Sequence, residues 1–351
     1  MARRSIGCAA IALAALVLAC IFSFGLSWPA DAQRVQKKIE PPADPVAIEI
    51  QSQPIVSLDH REPDRRRFGL VDFRGGLVLT SKFREFGGLS SINVAADGAN
   101  FIAASDRSWW LRGRITYGGS RPTGIAAAEM APMLGPDGRT LAARRWYDTE
   151  AIARDGDTLY VGIERVHRIV RFDLGKDGLR ARGRPIGVPA GIRSLPSNGS
   201  IEALAFVPRG APLGGTLIAI SERGRDGDGN HLAFLIGGPR PGAFTIARRN
   251  EFDISDATLL AASHLLVLER RFGWTTGLFI RIRRIAMANI RPGAVVDGPV
   301  VFEADLGQQI DNMEGISAHR SGGETVLTLI SDNNFSALQR TMLLQFTLVQ
   351  P

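Results

Sequence analysis

Pairs of short apolar segments, each pair closed by an acidic residue, recur along this chain. In the last copy, residues 312–317 lead through a Gly-containing loop to residues 326–331, and Asp332 follows directly. Apolar segments of this length, bounded by Gly, Asn and Asp, are typical of β-strands. The first polar positions of the five copies are Ser90, Glu150, Glu202, Thr258 and Glu314, at steps of 60, 52, 56 and 56 residues. A period of about this size in strand-rich sequence predicts a β-propeller.

The second copy predicts how a complete blade is built. Residues 150–153, 158–163, 166–174 and 179–188 are predicted as four successive strands, and Asp155-Gly156 is a typical hairpin turn between the first two. Four antiparallel strands of this kind make one propeller blade. The 39 glycines and 19 prolines are spread along the chain, and no amphipathic helical pattern occurs after the first residues. The fold class we predict is therefore all-β, with four-stranded antiparallel blades.

The number of blades and the closure of the ring are predicted less directly. Five copies are counted, and a sixth blade could come from the strand-like residues 46–58 and 68–82 or from residues 107–149. We therefore predict six blades in one domain spanning residues 46–351. The last strand, at residues 341–349, has no following partner in its own copy. We expect the N-terminal strands to pair with it, because that closes the ring and hides a sheet edge.

The first 32 residues have the features of a secretory signal peptide. Arg3 and Arg4 precede a nearly continuous apolar run at residues 6–26, and Ala30-Asp31-Ala32 forms an A-x-A cleavage site. The run is also long enough for an uncleaved N-terminal anchor, which remains the alternative. Residues 33–45, with three prolines, read as a flexible lead-in. We predict a periplasmic or secreted protein without membrane contact after cleavage.

Cysteine content and charge narrow the chemistry further. Both cysteines, Cys8 and Cys20, lie in the leader, so the exported chain has no disulfide, thiolate metal site or catalytic cysteine.

The formal net charge of the whole chain is +7. In an exported protein this favours anionic ligands over nucleic acid, for which we find no basic motif interleaved with aromatics. Most arginines are expected on solvated strand faces, as at residues 280–285, where arginine and isoleucine alternate.

In a propeller, residues at equivalent positions of the repeats form rings about the axis. The alignment predicts a first ring of Ser90, Glu150, Glu202, Thr258 and Glu314. It predicts a second ring of Asp106, Glu164, Glu222, Glu269 and Asp332. The residues that directly follow the second ring are Arg107, Arg165, Arg223, Arg270 and Asn333. Burial does not require this regularity, so we expect function there.

Carboxylates that face one small space need compensating charge. One source is the neighbouring arginines, as structural ion pairs between blades. The other is a hard cation, and calcium fits best because it accepts six to eight oxygen ligands in adaptable geometry. Unpaired arginines suit phosphate or carboxylate groups. We predict catalytic roles for Glu150, Glu202 and Glu314. The predicted metal ligands are Asp106, Asp332 and Glu222, and the predicted substrate-binding residues are Arg107, Arg165, Arg223 and Arg270.

Other motifs are weaker. Residues 226–230, Asp-Gly-Asp-Gly-Asn, resemble the start of a calcium loop, but the twelfth position is Gly237 where an EF-hand needs Glu, so a polar hairpin tip is favoured. The five histidines are not at zinc-ligand spacing, and neither G-x-S-x-G nor H-E-x-x-H occurs.

Several short segments of the sequence resemble those of the phytase-like family, also called the "esterase-like activity of phytase" family. They are Gly87-Gly88-Leu89-Ser90-Ser91-Ile92, Ala104-Ser105-Asp106-Arg107, Asp148-Thr149-Glu150-Ala151-Ile152, Asn198-Gly199-Ser200-Ile201-Glu202-Ala203-Leu204, Leu266-Val267-Leu268-Glu269-Arg270-Arg271-Phe272, Asn312-Met313-Glu314-Gly315-Ile316 and Leu329-Ile330-Ser331-Asp332-Asn333-Asn334-Phe335. The resemblance covers roughly residues 68–349. It implies an exported propeller related to the calcium-dependent propeller phytases, in which calcium neutralises a phosphate ester and helps to activate water.

These observations lead to two hypotheses about function. The first is a metal-assisted hydrolase of an ester, with a phosphoester favoured and calcium as the cofactor. The second is a non-catalytic propeller whose axial face binds an anionic small molecule or a partner protein. A lattice of purely structural ion pairs is the third outcome.

Overall fold

The computed structural model describes residues 44–349, so the predicted leader and most of the lead-in lie outside the described residues. The described part is an all-β propeller of five antiparallel blades with four to six strands each. Six blades were predicted, and that number was wrong. One blade forms for each counted repeat, because residues 107–149 supply outer strands of the first blade and the N-terminal strands complete the last. Among the described residues, no helix is long and apolar enough to cross a bilayer.

The N-terminal strands belong to two different blades. They are β1 (Val46–Ala47), β2 (Gln51–Ile55), β3 (Arg67–Phe68) and β4 (Val71–Thr80). Blade 1 follows, with β5 (Leu89–Val94), β6 (Asn100–Ser105), β7 (Trp109–Gly118) and β8 (Arg121–Pro132), and β1 adds to its outer edge. Blade 2 contains β9 (Thr149–Asp155), β10 (Thr158–Ile163), β11 (Arg168–Asp173) and β12 (Arg184–Pro185). A short helix α1 (Leu174–Asp177) and a 3₁₀ turn (Gly178–Arg180) connect β11 to β12.

The second half of the chain forms the remaining blades. After helix α2 (Ala190–Arg193), blade 3 contains β13 (Ile201–Phe206), β14 (Thr216–Arg225), β15 (His231–Gly237) and β16 (Gly242–Ile246). Blade 4 contains β17 (Asp253–Leu260), β18 (His264–Gly273) and β19 (Gly277–Ala286). A 3₁₀ turn (Met287–Asn289) follows, then β20 (Val295–Val296), which pairs in parallel with β16, and β21 (Val300–Asp305), the outer strand of blade 4. Blade 5 contains β22 (Met313–Ser321), β23 (Glu324–Ser331) and β24 (Thr341–Leu348).

The ring closes between the two ends of the chain, as predicted. β24 pairs antiparallel with β4 from Thr341 opposite Leu79 to Leu348 opposite Val71, and β2 covers the far edge of β4. The inner strands β5, β9, β13, β17 and β22 contact one another in this order round the axis, and β22 returns to β5. Five apolar clusters fill the spaces between adjacent blades. This packing holds the five inner strands in equivalent positions.

A buried ion cluster lies inside blade 4, where a solvated strand face was predicted. Arg281 and Arg283 are only 2% and 1% exposed, and Arg284 alone of the three is partly exposed. The fully buried carboxylate of Glu269 accepts from Arg281 Nε at 2.6 Å and from Arg283 Nε at 2.9 Å. Arg283 also donates to Asp297. For Arg281 and Arg283 the prediction of a solvated strand face was therefore wrong, because Ala247, Arg249, Phe252 and Asp297 cover these side chains.

Candidate functional site

A β-bulge interrupts each inner strand at the same point. In blade 1, Leu89 lies opposite Ser105 and Ser91 opposite Ala104, so Ser90 has no partner across the strand pair. The equivalent unpaired residues of the other blades are Glu150, Glu202, Ser255 and Glu314. A bulge bends its strand and redirects the extra side chain. The five bulges therefore place five residues in one ring at the same end of the axis.

Three glutamates of this ring converge. Each of Glu150, Glu202 and Glu314 offers a carboxylate oxygen, and these atoms all lie within 4.8 Å of one another. Glu202 and Glu314 are 7% and 6% exposed. The Ser90 hydroxyl hydrogen-bonds to Glu150. The structure thus brings together the three glutamates that the repeat alignment singled out.

Blade 4 departs from the predicted ring. Its bulge residue is Ser255, whose hydroxyl donates to the carbonyl of Met313 at 3.1 Å. Thr258 lies three residues further along β17, at the opposite end of the axis. The prediction that Thr258 belongs to the first ring was wrong. The alignment had matched it to the glutamates by spacing, whereas the bulge sets the position.

The second ring also has a different member in blade 4. Asp106, Glu164, Glu222 and Asp332 each directly follow the residue that pairs across the bulge. In blade 4 that paired residue is Glu269 itself, opposite Ile254, so the residue in the ring position is Arg270. Glu269 belongs to the buried cluster of blade 4, and its predicted place in the second ring was wrong.

Arg270 consequently lies among the carboxylates. Its Nη1 is 3.1 Å from Glu314 Oε1, and its Nη2 is 3.5 Å from Glu222 Oε1. It also donates to Asn312 Oδ1, and the Asn312 amide in turn donates to Glu314 at 2.7 Å. Burial opposes the charge of Arg270, but Glu314, Glu222, Glu202 and Glu150 outweigh it and raise its pKa. The site therefore contains one permanent positive charge.

The other three predicted substrate-binding arginines lie further out. Arg165 pairs with Asp148 at 2.6 Å, and Arg223 pairs with Glu222 at 3.3 Å. Arg107 is 3.7 Å from Glu85, and its guanidinium carbon lies 3.3 Å above the ring centre of Phe335. Their side chains are 50%, 56% and 44% exposed, respectively. They form a solvent-accessible cationic rim that can meet an anion.

Backbone amides and hydroxyls hold the second-ring acids in place. Glu164 accepts from the backbone N–H groups of Gly199 and Ser200. Asp332 accepts from the N–H of Asn334 at 2.6 Å, and Asp106 accepts from the Ser105 hydroxyl at 3.2 Å. These contacts fix the carboxylates before any ligand binds.

A second three-carboxylate cluster overlaps the first. Asp148, Glu150 and Glu164 also offer oxygens within 4.8 Å of one another, with Glu150 common to both clusters. Asp148 was not predicted as a site residue, although it stands two residues before Glu150 in one of the segments that resemble the phytase-like family. Its φ of 68° places it in the left-handed region, where Asp is tolerated better than most residues.

The buried acids have raised pKa values. Burial, followed by repulsion from neighbouring carboxylates, raises the pKa of both Glu150 and Glu202 well above the usual range. Burial raises the pKa of Glu164 and of Asp332 to about 7 and that of Asp106 to about 6. Burial also raises the pKa of Glu222, although Arg270 and Arg223 oppose the shift. At neutral pH the cluster therefore retains protons unless a cation replaces them.

The donor set fits a hard divalent cation. All the converging groups are oxygens, and calcium accepts carboxylates in adaptable geometry. Glu150 and Glu202 make no ion pair with an arginine among the described residues, so their oxygens remain available. Glu314 is shared with Arg270. Residues 226–230, the other calcium-loop candidate, form the turn between β14 and β15, where Asp226 accepts from the backbone of Asp228 and Asn230.

The stability of the ion-free protein should depend on pH in a direction that these shifts determine. Unfolded acids titrate near pH 4, whereas Glu164 and Asp332 titrate near pH 7 in the folded state. Between these values the folded state binds more protons than the unfolded state, so stability falls as the pH rises. We expect a lower Tm at pH 8 than at pH 5 in chelator, and a smaller difference in the Glu164→Gln/Asp332→Asn variant. A Tm that rises over this interval would contradict the assignment.

Comparisons with known proteins show the family but not the activity. The chain is 12% identical to the crystal structure of Myxococcus xanthus glutaminyl cyclase, with TM-score 0.40, covering 75% of this chain and 92% of that one. It is 13% identical to the PQQ-bound aldose sugar dehydrogenase from Streptomyces coelicolor, with TM-score 0.35 and coverage of 87% and 99%. It is 10% identical to the N-terminal domain of Nup159, with TM-score 0.37 and coverage of 82% and 97%. Similarities at this level carry no argument about function.

No curated protein matches the chain with significant similarity. The family model described as "Phytase-like: Esterase-like activity of phytase" matches residues 84–335. That range begins just before β5 and ends just after β23, so it includes all five bulges and both rings. The chain belongs to the phytase-like family described by esterase-like activity of phytase.

Proposed function

We propose that this protein is an exported hydrolase that cleaves an ester, with a phosphoester favoured, using its axial carboxylates and a bound calcium ion. The observation that carries the proposal is that carboxylate oxygens of Glu150, Glu202 and Glu314 lie within 4.8 Å of one another, with Glu202 and Glu314 buried and Glu150 partly buried. Burying three like charges is costly without compensation. The export that we propose, to the periplasm or the medium, rests on the leader sequence.

The ring residues have distinct roles in this proposal. Glu150, Glu202 and Glu314 hold the cation, and the second-ring acids Asp106, Asp332 and Glu222 are proposed as further ligands. Bound calcium supplies positive charge that stabilises the developing negative charge on a phosphoryl or acyl oxygen. A ring carboxylate takes a proton from the attacking water as the water oxygen bonds to the phosphorus or acyl carbon. The bond to the ester oxygen breaks, and the same carboxyl group returns the proton to that oxygen, which leaves as an alcohol.

The arginines supply the anion-binding part of the site. Arg107, Arg165 and Arg223 expose their guanidinium groups at the rim, where they can bind the substrate's phosphate or carboxylate. Arg270 reaches deeper and keeps its charge because four carboxylates raise its pKa. It can therefore bind the anionic group of a substrate while holding Glu314 and Glu222 in position.

One observation favours a second function. Arg270 already compensates Glu314 and Glu222, so part of the ring is neutral without a metal. In that case the axial face binds an anionic small molecule or an anionic segment of a partner protein, without turnover.

The test combines a thermal melt with a turnover assay. The purified protein is melted with millimolar calcium and then with chelator, and hydrolysis of p-nitrophenyl phosphate and p-nitrophenyl butyrate is followed in both conditions. We expect calcium to raise the Tm by several degrees, because ligands that bind the native state stabilise it, and to be required for turnover. A calcium-dependent Tm without turnover of either ester would favour the binding function. If calcium had no effect on the Tm and neither ester were hydrolysed, Glu314 and Glu222 would be structural ion-pair partners of Arg270.

A further inference from the structure

A cavity of about 640 Å³ opens at the end of the axis opposite the carboxylates. Two residues after the bulges, the inner strands contribute an apolar ring that forms its floor: Ile92, Ile152, Leu204, Ala257 and Ile316. This volume lies within the range of pockets that bind small organic ligands, roughly 300–1,000 Å³. We call this cavity the apolar funnel.

The walls of the funnel are apolar and its mouth is cationic. Phe206, Pro208, Leu259, Leu260 and Leu348 are among its apolar wall residues. The charged residues that line it are Arg154, Arg284 and Arg320, and no aspartate or glutamate of the described residues lines it. This distribution is unlike the opposite end of the axis, where carboxylates predominate. The funnel therefore combines an apolar interior with uncompensated positive charge.

The polar groups of the funnel have spare binding capacity. The side chains of Arg284 and Arg320 make no ion pair or hydrogen bond with any residue in the range 44–349, whereas Arg154 donates to the Gly156 carbonyl at 2.7 Å. Unpaired guanidinium groups at the mouth of an apolar cavity suit an anionic oxygen acid.

We propose that the apolar funnel binds an amphipathic anion, an unbranched fatty-acid-like molecule whose chain fills the cavity and whose carboxylate meets Arg284 and Arg320. Burial of the chain removes its methylene groups from water, and this favours binding. The arginines add charge-assisted hydrogen bonds to the carboxylate. Each feature selects against a different class of ligand, because short anions lack the chain and cationic amphiphiles have the wrong charge.

This site is independent of the proposed hydrolase function. None of its lining residues belongs to either carboxylate ring, and its apolar floor lies two residues beyond the bulges along the inner strands. Failure of one proposal therefore leaves the other intact.

The test is calorimetric titration of the purified protein with dodecanoate below its micelle concentration. We expect saturable binding at one site, and at least about tenfold weaker binding of butyrate, which has the same charge with a short chain. Dodecyltrimethylammonium has the same chain with the opposite charge, and its binding should also be at least about tenfold weaker than that of dodecanoate. Equal affinity for the cationic amphiphile would overturn the proposal.

Two variants locate the site. Arg284→Gln/Arg320→Gln is expected to weaken dodecanoate binding about tenfold or more, equivalent to about 1.4 kcal/mol. Thr258→Trp should block the funnel, with an unchanged Tm as the check that the fold is retained. The control Arg121→Gln/Arg184→Gln removes two exposed arginines from other surface pockets and should bind dodecanoate normally.

Unchanged binding in both funnel variants would refute the site. Binding to phosphatidylglycerol vesicles without binding of free dodecanoate would likewise reject it in favour of a membrane headgroup.

Discussion

Replacing Glu269 by Gln is expected to lower the free energy of unfolding by about 3–5 kcal/mol, the usual cost of breaking a buried ion pair from one side. Glu269 is fully buried and compensates two arginines that are themselves almost fully buried. Gln retains the shape of the side chain but not its charge. Arg281 would then face no carboxylate, with the Arg249 carbonyl and the ring of Phe252 still beside it. Arg283 would keep Asp297 and the Ala247 carbonyl.

Urea denaturation of the variant and the parent protein measures this loss. Glu303→Gln is the matched control, because Glu303 is an exposed residue of β21 in the same blade, and surface substitutions usually change stability by less than about 0.5 kcal/mol. A loss below about 1 kcal/mol for Glu269→Gln would mean that water or rearrangement compensates the arginines. Activity per folded molecule should be unchanged in both variants, since Glu269 is not part of the axial site.

Replacing Glu202 by Gln is expected to abolish the calcium-dependent rise in Tm and to reduce turnover by at least about 100-fold. Loss of the cation removes several kcal/mol of charge stabilisation from the transition state, and each 1.4 kcal/mol of barrier corresponds to a factor of ten in rate. Burial and the neighbouring carboxylates raise the pKa of Glu202 well above its usual range, so the ion-free site favours the neutral form of this side chain, which Gln resembles. Neutral Gln should therefore leave the Tm in chelator nearly unchanged.

Two further variants make this experiment decisive. Glu314→Gln should lower the Tm even in chelator, because it removes a partner of the Arg270 guanidinium. Glu62→Gln, at an exposed position of the loop between β2 and β3, should change neither Tm nor turnover. If Glu202→Gln retained the calcium response, the cation would have to bind elsewhere. If it lowered the Tm in chelator as Glu314→Gln does, Glu202 would be a structural partner.

Sequence spacing correctly predicted which residues of blades 1, 2, 3 and 5 occupy the two rings, but it failed in blade 4. In blades 3 and 5 a single glutamate at the bulge, Glu202 or Glu314, stands between non-polar strand positions. In blades 1 and 2 a second polar residue adjoins it, and the step from the neighbouring repeats selected Ser90 and Glu150. In blade 4 the polar residues Ser255, Asp256 and Thr258 offered three choices. A bulge adds one residue on one strand only, and a slip of one residue sends a side chain to the other face. The pairing of Ile254 with Glu269 decided which residue reaches the axis.

The sequence by itself determined the all-β propeller, the repeat, the closure of the ring by the chain ends, and the convergence of Glu150, Glu202 and Glu314. These features follow from local alternation of apolar and polar residues and from a period that the chain repeats. Only the tertiary structure decided that there are five blades, that Arg270 takes an acid's position, and that Glu269, Arg281 and Arg283 are buried together. It also revealed the apolar funnel. Each of these features depends on which distant strands pack together and in what register. The spacing of residues along a single strand carries no information about that packing.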